Sequence, residues 1–175
     1  MDAMVNTDHY TIADIYHLPE GKRAELIDGQ IYDMAPPGRT HQKISSRIHQ
    51  AVANYIDSKN GACEVYAAPF AVFLNQDESN YVEPDICVIC DTDKLDEKGC
   101  HGAPDWVIEI ISPASRTMDC YTKLFKYKEA GVREYWIVDP PKEIVLVYRF
   151  EKKTMETYSF QEVITAGIYD DFSMS

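Results

Sequence analysis

Apolar positions along this chain switch between a helical and an alternating period. Thr11-Ile12-Ala13-Asp14-Ile15-Tyr16-His17-Leu18 has helical spacing behind a cap-type threonine, and Pro19 and Gly21 stop it. Ala24 to Met34 holds two extended runs around Asp28-Gly29, a hairpin signal. From His41 to about Ser58 the apolar residues Ile44, Ile48, Ala51, Val52, Tyr55 and Ile56 return to helical spacing. Residues 63–74 and 84–90 read as strands around a polar loop, Asn75–Asn80. The acidic stretch Asp91–Pro104 reads as an exposed loop. Asp105–Ile111 is a strand that is apolar nearly throughout, as in a sheet covered on both faces. A helix over Thr117–Ala130 follows, closed by Gly131. Strands come next at Glu134–Asp139 and Glu143–Phe150, with an edge strand at Thr154–Phe160. This order predicts a mixed α/β fold with a central sheet flanked by helices.

Composition narrows the picture. The 175 residues are 45% hydrophobic, which excludes disorder and suits a single domain over 1–175. A net charge of −12 argues against a general nucleic-acid binder and against an anionic membrane surface. The distribution of that charge weakens both exclusions. Residues 41–62 carry +2 and residues 115–133 carry +3, whereas residues 63–114 carry −9. No apolar run approaches the roughly eighteen residues of a membrane helix. Met1–Asp8 lacks the basic start of a secretory leader. Five cysteines form no regular framework, which suits a reducing, cytoplasmic setting. Cys87 and Cys90 make a CxxC, but in a strand residues three apart face opposite ways. Cys100-His101 offers no second CxxC to complete a zinc set, so these sulfurs read as core.

Two carboxylates stand out. Asp85 opens the apolar run Ile86–Cys90, and Glu109 is embedded in Trp106–Ile111. A carboxylate in a buried strand is costly unless paired or bound to a metal. Two on neighbouring strands would repel, and a divalent cation would resolve this; pairing with Arg or Lys is the plainer alternative. Asp119, Lys123 and Tyr127 share one face of the following helix, where an exposed ion pair is the ordinary reading.

Together with Glu25–Gly29, Pro84-Asp85, Val107–Pro113 and Gly131–Asp139, these residues resemble the Uma-type restriction-endonuclease family of the PD-(D/E)XK superfamily, over about residues 11–150. The resemblance implies a restriction-endonuclease-like mixed sheet flanked by helices and an endonuclease acting on DNA. It makes Asp85 the Asp of the Pro-Asp motif and Glu109 the acid of the (D/E)XK element, together holding Mg²⁺ or Mn²⁺. Glu25 completes the acidic site. Ile111 stands where the superfamily places its lysine, so Lys123 supplies the ammonium from the helix. The Ile110 carbonyl is a further metal ligand. Substrate contacts fall to His41, Gln42 and Tyr127, with capping or packing open to His41 and positioning of Lys123 open to Tyr127. Trp136 and Tyr135 read as core. No membrane partner is expected, and cutting both strands would make a homodimer useful. A second reading, a nuclease-like module that binds without cutting, follows from the displaced lysine and the acidic surface. A sugar hydrolase would need paired acids across an open cleft, which Glu109 in so apolar a strand disfavours.

Overall fold

A computed structural model describes residues 9–175; Met1–Asp8, the stretch read for a secretory leader, lies outside the described residues. Helix α1 spans Ile12–Tyr16, and the Thr11 backbone N–H at its start donates to the Asp14 carboxylate at 2.7 Å. Strands β1 (Ala24–Ile27) and β2 (Gln30–Asp33) form the expected hairpin. Its turn residues Asp28 and Gly29 have φ of 50° and 75°, the backbone that matches the twist of paired strands. Helix α2 (Arg39–Ser58) buries Ile48, Val52 and Ile56 along one stripe and leaves its other faces polar.

Beyond α2 come β3 (Glu64–Ala67), β4 (Val72–Phe73) and β5 (Ile86–Ile89). A 3-10 turn at Thr92–Lys94 leads to β6 (Leu95–Asp96), β7 (Gly99–His101) and β8 (Trp106–Ile110). A π-helical turn, Met118–Thr122, runs into α3 (Lys123–Ala130), which Gly131 closes at φ 98°. The chain finishes through β9 (Glu134–Asp139), β10 (Ile144–Arg149), β11 (Thr154–Ser159), β12 (Ile164–Thr165) and β13 (Ser173–Met174).

The main sheet has the order β11-β10-β9-β8-β5-β3. Only β8 and β9 run parallel in it, and that pairing needs a crossover, which the π turn and α3 supply. One face of the sheet packs α2 and the C-terminal segment around Trp106, Trp136 and Phe172. The other packs α3 and the small sheet β4-β7-β6 around Tyr127, Tyr135 and Ile137. Every residue of β5, β8 and β9 is buried, as a doubly covered sheet requires. This is the mixed α/β architecture that the periodicity predicts.

Three readings need correction. Asp91–Pro104 is not simply an exposed loop: β7 pairs in parallel with β4, and Cys100 is fully buried. The partner that orders it lies some thirty residues upstream, beyond local pattern. The strand over 63–74 is two strands in two different sheets, β3 and β4. Finally, Cys63 and Cys90 form a disulfide. The antiparallel register pairs Glu64 with Ile89, so the flanking cysteines meet, a consequence of tertiary pairing. Cys87 and Cys90 do diverge, one into each core layer. Among the described residues no helix is long and apolar enough to cross a membrane.

Candidate active site

Asp85 stands at the entrance of β5, and Glu109 is the fourth residue of the adjoining antiparallel β8. Their backbones link them. The Asp85 N–H donates to Glu109 Oε2 at 3.2 Å, and the Ile110 N–H donates to Asp85 Oδ2 at 2.7 Å. Glu25 arrives from β1, which docks through reciprocal Leu26 and Tyr81 backbone bonds onto the segment leading to β5. Its Oε1 accepts from the Glu83 N–H at 2.9 Å.

Lys123, the first residue of α3, reaches into this acidic centre. Its Nζ lies 2.8 Å from Glu25 Oε2, 2.9 Å from Glu109 Oε1 and 3.6 Å from Asp119 Oδ1. The Tyr127 hydroxyl, one helical turn on, donates to Glu109 Oε1 at 2.7 Å. A bridge of 2.7 Å from Lys126 Nζ to Asp28 pins the hairpin turn to α3, so Glu25 and Lys123 are held together from outside as well. The Asp119–Lys123 pair is therefore not the exposed ion pair of the ordinary reading. Asp119 is 3% exposed and Lys123 4%, because α3 lays this face on the sheet.

The electrostatics follow from burial. Burial pushes the Glu109 carboxyl well above the usual range; Lys123 opposes this, while Asp119, Asp85 and Glu25 add to it. Burial likewise raises Asp119 against the pull of Lys123. For Lys123, burial works against the charged form, but Glu109, Glu25 and Asp119 together outweigh it and hold the ammonium protonated. Burial and the neighbouring Glu109 push the Tyr127 hydroxyl far up, so it stays a donor.

His41 comes from the first turn of α2. Its Nε2 lies 3.0 Å from Asp85 Oδ2, and this bond raises the imidazole pKa against the cost of burial. It does not cap the helix, since Gly38 holds that position. Among the described residues the buried His41 Nδ1 has no hydrogen-bond partner. Gln42 stays exposed outside the cluster. Tyr127 is fully buried, so it has no surface for a substrate; its hydroxyl holds Glu109 instead. Ile111 turns into the core, so the position two residues after Glu109 has no access to the site.

The fold thus brings together Glu25, His41, Asp85, Glu109, Ile110, Lys123 and Tyr127 from the sequence-predicted set. It adds Asp119 as a fourth carboxylate, buried like Glu25 and Glu109, whereas Asp85 is half-buried. The signal for Asp119 was its i,i+4 spacing to Lys123; what sequence could not show is which way that face turns.

Comparison with known proteins places the chain in a family and a fold. Over 98 residues the chain is 30% identical to "Uncharacterized protein slr1290" of Synechocystis sp., a match covering 56% of this chain and 50% of that one. The match thus spans about half the length of that curated relative. A crystal structure described as that of "a putative nuclease belonging to DUF820", from Anabaena variabilis, superposes with a TM-score of 0.74. It covers 90% of this chain and 89% of its own at 22% identity, a likeness of fold. Residues 12–171 match the family Uma2, described as "Putative restriction endonuclease". With that match over nearly the whole described chain, on a sheet that gathers the motif residues at one point, the chain belongs to the Uma2 family.

Proposed function

We propose that this chain is an endonuclease that hydrolyses DNA phosphodiester bonds with the help of Mg²⁺ or Mn²⁺. The observation that carries the reading is the convergence of Glu25, Glu109 and Lys123 from separate segments onto one buried point, with the half-buried Asp85 tied to Glu109 beside it. The family match supports a nuclease and, with it, DNA as substrate.

The donor chemistry fits a hard dication. Four carboxylates, Glu25, Asp85, Glu109 and Asp119, face the Lys123 ammonium and the His41 imidazole, which carries charge only when protonated. Carboxylate and carbonyl oxygens are the ligands that Mg²⁺ and Mn²⁺ take. Asp85, Glu109 and the Ile110 carbonyl would hold the ion. Among the described residues no three His, Cys, Asp or Glu side chains stand ready as a metal site, and the Lys123 ammonium lies between the carboxylates. When bound, the ion supplies Lewis acidity and a water of lowered pKa. The chain's own residues do the rest. His41 and the Ile110 N–H fix the Asp85 carboxylate, and Tyr127 fixes that of Glu109. Lys123 offers a fixed positive charge to the negative charge that develops on the phosphate.

The basic stretch at 115–133 contributes little free charge. Arg116 pairs with Asp139, Lys126 with Asp28, and Arg133 with Asp105 and Glu151. On α2, Lys43 and Arg47 are exposed. DNA contact in so acidic a protein is therefore salt-dependent and needs the metal. Cutting both strands would take two copies, and a homodimer belongs to this reading.

The test is Mn²⁺-dependent cleavage of plasmid DNA by the parent, Asp85→Ala and Glu109→Ala. Both variants lose cleavage while keeping the fold; if both cut as well as the parent, the assignment is wrong. The second reading, a module that binds without cutting, draws on the Lys123 ammonium already paired with Glu109 and on the His41 hydrogen bond that occupies Asp85. Calorimetric titration with Mg²⁺ separates the two: no binding by the parent favours the inert module.

A further inference from the structure

Three carboxylates share the Lys123 ammonium, and the metal-dependent mechanism assigns one of them, Glu109, to the cation. An ammonium beside a divalent cation is repelled by it. Lys123 would then keep only the partners that are not ligands, Glu25 and Asp119. We infer that Asp119 is a positioning residue that, with Glu25, holds the Lys123 ammonium in the site while Glu109 turns to the cation; the inference rests on the metal-dependent reading.

Asp119 is built for this. It is buried to 3% exposure, and the groups that favour its charge are Lys123 and the Ser115 side chain. Its backbone is fixed on both sides. The Asp119 N–H donates to the Ser115 carbonyl at 2.9 Å, and the Tyr135 hydroxyl donates to the Asp119 carbonyl at 2.9 Å. Ser115 is tied back to Ser112, just after β8, by exchanged hydrogen bonds. The π turn then sets the direction. Four residues are slightly more than one α turn and, in the wider i→i+5 spiral, slightly less than one π turn. Asp119 to Lys123 spans the π turn, and Lys123 to Tyr127 lies in α3, so the two drifts oppose each other. All three side chains are thereby kept on the face that meets Glu109.

The test compares the parent, Asp119→Asn, Lys123→Met and the double variant, with Asp119→Ala in parallel should the Asn variant fail to fold. Turnover of Asp119→Asn on DNA at saturating Mn²⁺ falls about tenfold or more while KM for DNA moves less than about twofold. In the Lys123→Met background the same substitution costs less than about twofold more, because its effect runs through the lysine. Mn²⁺ affinity by calorimetry shifts by no more than about threefold, since Asp119 is not a ligand. Equal losses in both backgrounds, an unimpaired Asp119→Asn, or a loss of Mn²⁺ affinity beyond about tenfold would overturn the inference. A parent that does not cut overturns the metal-dependent reading and this inference with it. A parent that cuts beside an unimpaired variant overturns this inference alone.

Discussion

Two glutamates lie buried in neighbouring parallel strands, Glu109 in β8 at 3% exposure and Glu134 in β9 at 1%. Burial raises the pKa of both carboxyls. Their surroundings differ completely. Glu134 accepts from the Trp136 indole N–H at 2.6 Å and from the Gly167 N–H at 2.5 Å, with Arg149 Nε at 3.9 Å. Neutral N–H donors hold that carboxylate, and the Arg149 guanidinium nearby is shared with Glu156 at the surface. Around Glu109 three more carboxylates crowd a single lysine and one histidine, leaving a negative excess. Burial alone therefore does not single out a site: an acid taken up by neutral donors ties the fold together, whereas one crowded by like charges is a candidate for function.

Removing each glutamate should separate these roles. Glu134→Ala orphans the Trp136 and Gly167 N–H groups, while Arg149 keeps Glu156 and the Thr165 carbonyl, and costs about 3 kcal/mol in urea unfolding. Cleavage per folded molecule stays at the parent level; a catalytic loss at equal folding would break the comparison. A smaller effect is expected at Asp139, which takes a bidentate Arg116 contact at 2.7 and 3.0 Å. That guanidinium holds the Asp139 carboxyl below its ordinary value. Its contribution is thus fully present above the unfolded carboxyl pKa of about 3.9 and lost as pH falls through the lowered folded value. Asp139→Asn should be less stable than the parent at neutral pH, and the gap should close in acid; a gap that is constant with pH would refute the pairing. Smallest is the stability change in Glu109→Gln without metal. Relief of like-charge crowding offsets the lost lysine contact, so the variant unfolds within about 1 kcal/mol of the parent, or above it. A large loss there would make Glu109 a structural acid like Glu134.

Periodicity and turn residues alone placed α1, the Asp28-Gly29 hairpin, α2 and the strands β8 to β11, because the signal for each is local. The β6–β7 segment and the short C-terminal β12 and β13 were not legible, since two- and three-residue strands take their order from remote partners. The pairing of Cys63 with Cys90 was not legible for the same reason: it is a property of the β3–β5 register.

The sequence by itself determined the mixed α/β order and marked Asp85 and Glu109 as acids in strands too apolar to hold them cheaply. It also put Asp119, Lys123 and Tyr127 on one helical face. Tertiary structure alone decided where that face points. Spacing along a helix fixes relative direction, whereas burial depends on what the helix lies against. The β8–β9 crossover laid α3 on the sheet, turning a surface ion pair into a buried lysine shared by three carboxylates.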